Sequence, residues 1–207
     1  MRTRTLGLYL YDDVEVLDFA GPFEVFSTAS RVALRRQPEA PAPFRVVTIA
    51  RHQAPVRARA GLPVLAEATL ADHPPLDVLI VPGGDERAER GRPDLMAWLR
   101  AQAAQVEVLA SVCTGAFLLA GAGLLDGRRV TTHWEDVAEL AAAFPALEVA
   151  DTGRWIDDGD ILTSAGISAG IDMSLHLVAR LADAKLAMAT ARQMDYHWQD
   201  SPGEPPP

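Results

Sequence analysis

The sequence holds a single cysteine in 207 residues, which rules out an internal disulfide and suits a reducing compartment. It also holds a single lysine, Lys185, and no basic cluster longer than a pair, such as Arg35-Arg36, which the surrounding residues place on a surface loop. With 28 acidic residues against 19 basic ones, the net charge is −9 and no basic stripe is available to a phosphate backbone, so direct nucleic-acid binding is not expected. No apolar run reaches the roughly 18 residues that cross a bilayer, so no membrane partner is expected. The opening MRTRTLGLYLYDD has too short an apolar stretch for a secretory signal, and a cytoplasmic location follows as the expectation. The five histidines are scattered, with no spacing that suggests a metal site, and nothing calls for a cofactor.

What is present is an ordinary globular composition, 49% hydrophobic and 23% charged, enough for one domain over residues 1–199. The tail Asp200–Pro207 carries four prolines and is expected to be disordered. Thr5–Tyr11 alternates and is β-rich, Phe44–Ile49 reads as a strand, and Leu76–Val81 and Glu107–Ser111 are short apolar runs typical of strands covered on both faces. Helices are expected near Gly21–Ala33 and over Pro93–Ala104, Thr114–Gly123, Glu135–Ala143, Gly166–Leu181 and Ala184–Tyr196. Val130–Thr132 reads as a short strand, and Asp157-Asp158-Gly159-Asp160 marks a hairpin within Arg154–Thr163. Strands alternating with helices predict a doubly wound, mostly parallel α/β sheet with helices on both faces, flavodoxin-like in type. Sites in such sheets gather beyond the carboxyl ends of the strands.

Chemistry concentrates at Glu107–Leu119, where a buried strand runs into a helix with Cys113 at the junction and the small residues Ser111 and Gly115 two places to either side. That is the pattern of a nucleophile elbow, whose tight turn needs small neighbours. The positive end of the following helix favours thiolate, and Cys113 is expected to be largely ionised at neutral pH. The competing reading is a buried structural cysteine. Asp18 follows the first strand and so reaches the same sheet edge. Beside a thiolate its carboxyl would stay protonated and act as a general acid, or it could simply cap the helix that begins nearby. Gly83 and Gly84 close another strand at that edge, and their backbone could join the N–H of Thr114 in an anion pocket or merely form a tight turn. His133, after a short strand, is a base or a hydrogen-bonded structural histidine.

LDFAGPFEVF (17–26), VPGGD (81–85), SVCTGAFLLAGAGLLDGRRVTTHW (111–134) and ILTSAGISAGIDMSLHLVARL (161–181) together resemble the ThiJ/PfpI superfamily, which has a class I glutamine amidotransferase-like fold. Within it they are most similar to the isocyanide hydratase branch and to the sensor domains of AraC-type regulators. The resemblance implies that Cys113 is the nucleophile, Asp18 its acid, Thr114 and Gly84 the backbone donors beside the sulfur, and His133 a neighbour of the site. It also implies a homodimer acting on a small-molecule substrate. Thr114 stands where the peptidase members carry histidine, which argues against proteolysis. Asp85 and a long loop over Ser27–Pro43 depart from the hydratase pattern, and the helix-turn-helix region of the regulators is not expected here. Three functions compete: a cofactor-free lyase that hydrates isocyanides, a small-molecule or redox sensor, and a glyoxalase or chaperone role.

Overall fold

In the computed structural model, which describes residues 2–203, seven strands form one sheet. They are β1 (Arg4–Leu10), β2 (Phe44–Ala50), β3 (Ala68–Thr69), β4 (Val78–Val81), β5 (Val108–Val112), β6 (Trp155–Asp158) and β7 (Ile161–Ser164). Their spatial order is β6-β7-β5-β4-β1-β2-β3, parallel throughout except for the β6–β7 hairpin. The helices are α1 (Val16–Arg36), α2 (Pro93–Ala103), α3 (Gly115–Gly121), α4 (Val137–Ala143), α5 (Ala169–Leu181) and α6 (Ala184–Gln193). This is the doubly wound arrangement that the alternation of strands and helices predicts.

The two-residue period of a strand divides the core into two layers. Val78 and Ile80 of β4 point into a cluster with Val25, Phe26, Leu175 and Leu177, which α1, α5 and α6 cover. Leu79 and Val81 point the other way, into a cluster with Leu99, Phe117 and Leu119 under α2 and α3. All four β4 residues are fully buried, which is why this run shows no polar alternation.

Two expectations need correction. The first helix starts at Val16, with Glu15 as its N-terminal flanking residue, and Pro22 lies inside it. Proline usually opens a helix, which is why the sequence points to Gly21, but here its missing N–H only leaves the Asp18 carbonyl without its usual partner. The same helix runs on to Arg36, so Arg35-Arg36 is its last turn and the loop before β2 is confined to 37–43. Of the tail expected to be disordered, residues 204–207 lie outside the described residues. At Pro202 the carbonyl accepts the Arg154 N–H at 2.6 Å.

Helix α5 carries apolar residues on most sides, so a layer besides the sheet must cover it. In the structure α1 and α6 of the same chain cover it, and Met173, Leu175, Leu177 and Val178 are fully buried. The contact with α1 is close: a Cβ added to Gly21 would lie 3.0 Å from Ile171 Cγ1. Among the described residues no helix is long and apolar enough to cross a membrane.

Candidate active site

Three adjacent parallel strands, β1, β4 and β5, end at one edge of the sheet. The segments that follow them carry Asp18, Gly83-Gly84 and Cys113. Strand order reverses direction between β1 and β4, the place where α/β sheets open a crevice.

Cys113 stands between β5 and α3 with φ 55°, a left-handed conformation that costs a non-glycine residue about 1–2 kcal/mol. The backbone around it is held on both sides. Its N–H donates to the Ser164 carbonyl at 3.0 Å, and its carbonyl accepts the Thr132 hydroxyl at 2.9 Å. Gly115 is required for the turn, because a Cβ there would meet the Val81 carbonyl oxygen at 2.1 Å. Gly83 is required on the facing loop, where a Cβ would stand 2.6 Å from Thr114 N and 2.9 Å from Cys113 Cβ. The elbow therefore exists as steric fact.

Asp18, in the first turn of α1, is fully buried. Its Oδ2 accepts the Gly83 N–H at 3.1 Å, Oδ1 has no hydrogen-bond partner, and the carboxyl interacts with the Cys113 thiol. Burial raises its carboxyl from the ordinary 3.8 to about 7, against the opposing pull of the Gly83 N–H. Burial likewise pushes the Cys113 thiol up, and the Asp18 charge pushes it further, whereas the backbone N–H groups of Thr114 and Ile167 draw it down. Burial and the neighbouring carboxyl thus work against the thiolate expected at neutral pH. Two acids pressed together in a dry site form one titrating pair, which gives up its first proton near neutrality and holds the second.

The anion pocket also differs from expectation. The Gly84 N–H is spent on Thr114 Oγ1 at 2.9 Å, and that hydroxyl donates back to the Gly84 carbonyl at 3.0 Å. The Gly83 N–H is spent on Asp18. Neither glycine is a free donor; they lock the loop, with Gly84 at φ 143° and Asp13 and Val14 packed where a side chain would go. The donors that do reach the sulfur are Thr114 N–H and Ile167 N–H. Ile167, also at positive φ, belongs to the turn before α5 and is a neighbour of the sulfur that sequence reasoning missed. A donor that works through its backbone leaves no trace in side-chain type.

A cavity of about 430 Å³ opens over Cys113. Thr114, Ile167 and His133 line it near the sulfur. Charged side chains form its rim. Arg59 pairs with Glu15 at 3.3 Å, Arg87 with Asp85 at 2.7 Å, and Arg90 with Glu86 at 2.6 Å and with Glu139 at 2.9 Å. Arg87 holds the Asp85 carboxyl down at about 2. His133 packs against the backbone of Gly166, where a Cβ would meet its ring at 2.0 Å, and its Nδ1 accepts the Glu135 N–H at 3.4 Å. Among the described residues no group of three or more His, Cys, Asp or Glu is placed to hold a metal ion.

The weakened acidity of Asp18 has a consequence for stability. The folded state keeps a proton that the unfolded chain releases near pH 3.8, so the native state binds more protons between that pH and about 7. Stability is therefore fullest in mild acid and falls as pH rises through this window, by on the order of 4 kcal/mol. Asp18→Asn removes the ionisation. The variant should melt on the order of ten degrees above wild type at about pH 8 and only about 2–4 °C above it near pH 4.5. Equal melting differences at the two pH values would show that Asp18 titrates normally.

Over residues 4–180 the chain matches the DJ-1/PfpI family. It is 34% identical over 199 residues to isonitrile hydratase of Pseudomonas putida, a match covering 92% of this chain and 78% of that protein. It is 31% identical over 193 residues to the HTH-type transcriptional regulator GbdR of Pseudomonas aeruginosa, covering 93% of this chain and 51% of the regulator, so it spans about half of that protein's length. Among solved structures, a THiJ/PfpI family protein from Pseudomonas syringae superposes with a TM-score of 0.82 at 28% identity, covering 100% of this chain and 78% of the other. With its elbow, sheet order and sequence in agreement, the chain belongs to the DJ-1/PfpI family.

Proposed function

We propose that the protein adds water to isocyanides, giving N-substituted formamides, through a covalent bond to Cys113. The observation that carries this reading is the buried pair itself: a strained cysteine at a cavity floor with a weakly acidic, buried carboxyl interacting with its thiol. Similarity to an isonitrile hydratase over most of both chains supports it.

The chemistry needs one proton shared by the pair. Sulfur attacks the terminal isocyanide carbon, and the proton moves from the pair to that carbon, which leaves a thioimidate on Cys113 and a carboxylate at Asp18. The carboxylate then draws a proton from a water as the water oxygen adds to the carbon, and passes that proton to the substrate nitrogen; when the carbon–sulfur bond breaks, the adduct's hydroxyl proton returns to Asp18. Expulsion of sulfur releases the formamide, and the pair recovers its single proton. Thr114 N–H and Ile167 N–H steady the sulfur as it gains and loses charge. Incubation with a panel of alkyl and aryl isocyanides, with formamide detected by mass spectrometry, tests the scheme against a Cys113→Ala background.

A sensor role is the second reading, favoured by similarity to a transcriptional regulator over 93% of this chain and by the charged rim. It expects ligand binding without turnover.

We also propose a homodimer. Leu17, Phe23, Leu62 and Leu65 are all exposed, the last by 62%, and supply apolar surface that α1 and the 56–64 hairpin present outward. Sedimentation equilibrium at micromolar concentration should return twice the 22.3 kDa chain mass; a single-chain mass overturns this assembly.

A further inference from the structure

From the rim of the Cys113 cavity we infer that the site selects positively charged electrophiles and repels anionic ones. The inference rests on the reading of Cys113 as the reacting group, and it concerns the class of molecule that reaches it.

Six carboxylates and three guanidiniums line the cavity. Each arginine is already held by a carboxylate, and Arg90 in addition lies over the Phe117 ring at 3.9 Å, so none is free to receive an anion. Three carboxylates remain in excess, and two of them, Glu135 and Asp136, have no arginine partner. Their neighbour is His133, with Nδ1 at 3.6 Å from Glu135 and 3.5 Å from Asp136. Even if this ring is counted as a positive charge, two carboxylates remain in excess around the cavity. Beneath them the buried Asp18–Cys113 pair carries one negative charge once its first proton has left. Asp18 is fully buried, its Oδ1 has no hydrogen-bond partner, and its carboxyl interacts with the thiol that a ligand must approach. A cleft with an excess of one sign and low-dielectric walls concentrates the opposite charge, with effects on approach rates of about 10- to 1,000-fold that salt suppresses. The fitting ligand carries an ammonium or quaternary ammonium group on its tail, set toward Glu135 and Asp136 while its electrophilic end meets Cys113.

Three methanethiosulfonate reagents of similar size, one cationic (trimethylammonium), one neutral and one anionic (sulfonate), measure this directly. Each is attacked by the Cys113 sulfur, which forms a mixed disulfide and expels methanesulfinate, so no hydration chemistry is required. Rates are normalised to those of a small free thiol to remove intrinsic reactivity. At low ionic strength, about 20 mM, the normalised cationic-to-anionic ratio should exceed about 10 and should fall severalfold near 500 mM. Glu135→Gln/Asp136→Asn should reduce it at least threefold (about), whereas Glu39→Gln/Asp126→Asn, an equal charge change at exposed acids outside the cavity, should leave it unaltered. A normalised ratio below about 3, or one that both double variants change equally, overturns the inference. If the ratio holds while isocyanides give no formamide, the hydratase reading fails and the charge selection stands.

Discussion

Cys113→Ala should abolish formamide formation, and Asp18→Asn should reduce it by at least about a thousandfold, on the scale of losing a nucleophile or a general acid. Alanine at 113 leaves the cavity intact but removes the only atom that can bond the isocyanide carbon. Asparagine at 18 is nearly isosteric and can still accept the Gly83 N–H through its carbonyl, so the loop keeps its lock. What it loses is the proton that must reach the substrate carbon. Asp18→Glu keeps the proton but crowds a fully buried site, and should retain partial activity. Steady-state rates with one reactive isocyanide suffice as the measurement. Turnover by Asp18→Asn within tenfold of wild type removes Asp18 from the mechanism, and unchanged turnover by Cys113→Ala removes the mechanism itself.

The largest stability effect should come from a residue outside the cavity. Asp172 on α5 is fully buried and takes the Arg154 Nε–H at 2.6 Å, the Tyr196 hydroxyl at 3.0 Å and the Gln199 N–H at 3.0 Å. Removing one partner of a buried ion pair leaves an uncompensated charge, at a cost of about 3–5 kcal/mol. Arg154→Met should therefore lower the denaturation midpoint steeply, whereas the double variant Arg154→Met/Asp172→Leu should recover most of the loss, since the buried charge goes with its partner. Urea unfolding of the two variants decides the matter; a single variant within about 1 kcal/mol of wild type would show that solvent reaches Asp172. The same change reaches the site, because the Arg154 guanidinium also donates to Ser168 Oγ at 3.2 Å, next to Ile167.

Much of the site was legible because its logic is steric. Ser111 and Gly115 around Cys113 announce a turn that only small residues permit, and the 2.1 Å approach at Gly115 shows why. Asp18 was legible by position, since whatever follows β1 must arrive at the same edge as β5. Its local setting was not, because Pro22 mimics a helix start. The roles of Gly83 and Gly84 were misjudged for a different reason. Sequence says that a backbone can come close, but not whether its N–H is already taken, and here Asp18 and Thr114 take both. Ile167 was invisible, because the atom that matters is one that every residue but proline shares. The strand Ala68–Thr69 also escaped, as two residues carry no period.

The cavity is built of two kinds of material, and that bears on how such a protein changes over time. Its floor is wired through main-chain atoms: the Cys113 N–H and carbonyl, the Gly83 N–H, and the N–H groups of Thr114 and Ile167. Its rim is made of side chains on exposed turns, among them Glu15, Asp85, Arg87 and Glu135. Point mutations can rewrite the rim one residue at a time without disturbing the sheet, while the floor is inherited whole with the backbone path. Drift in this lineage should therefore move ligand preference first and reactivity last, a route by which one scaffold can come to serve both catalysts and ligand-responsive regulators.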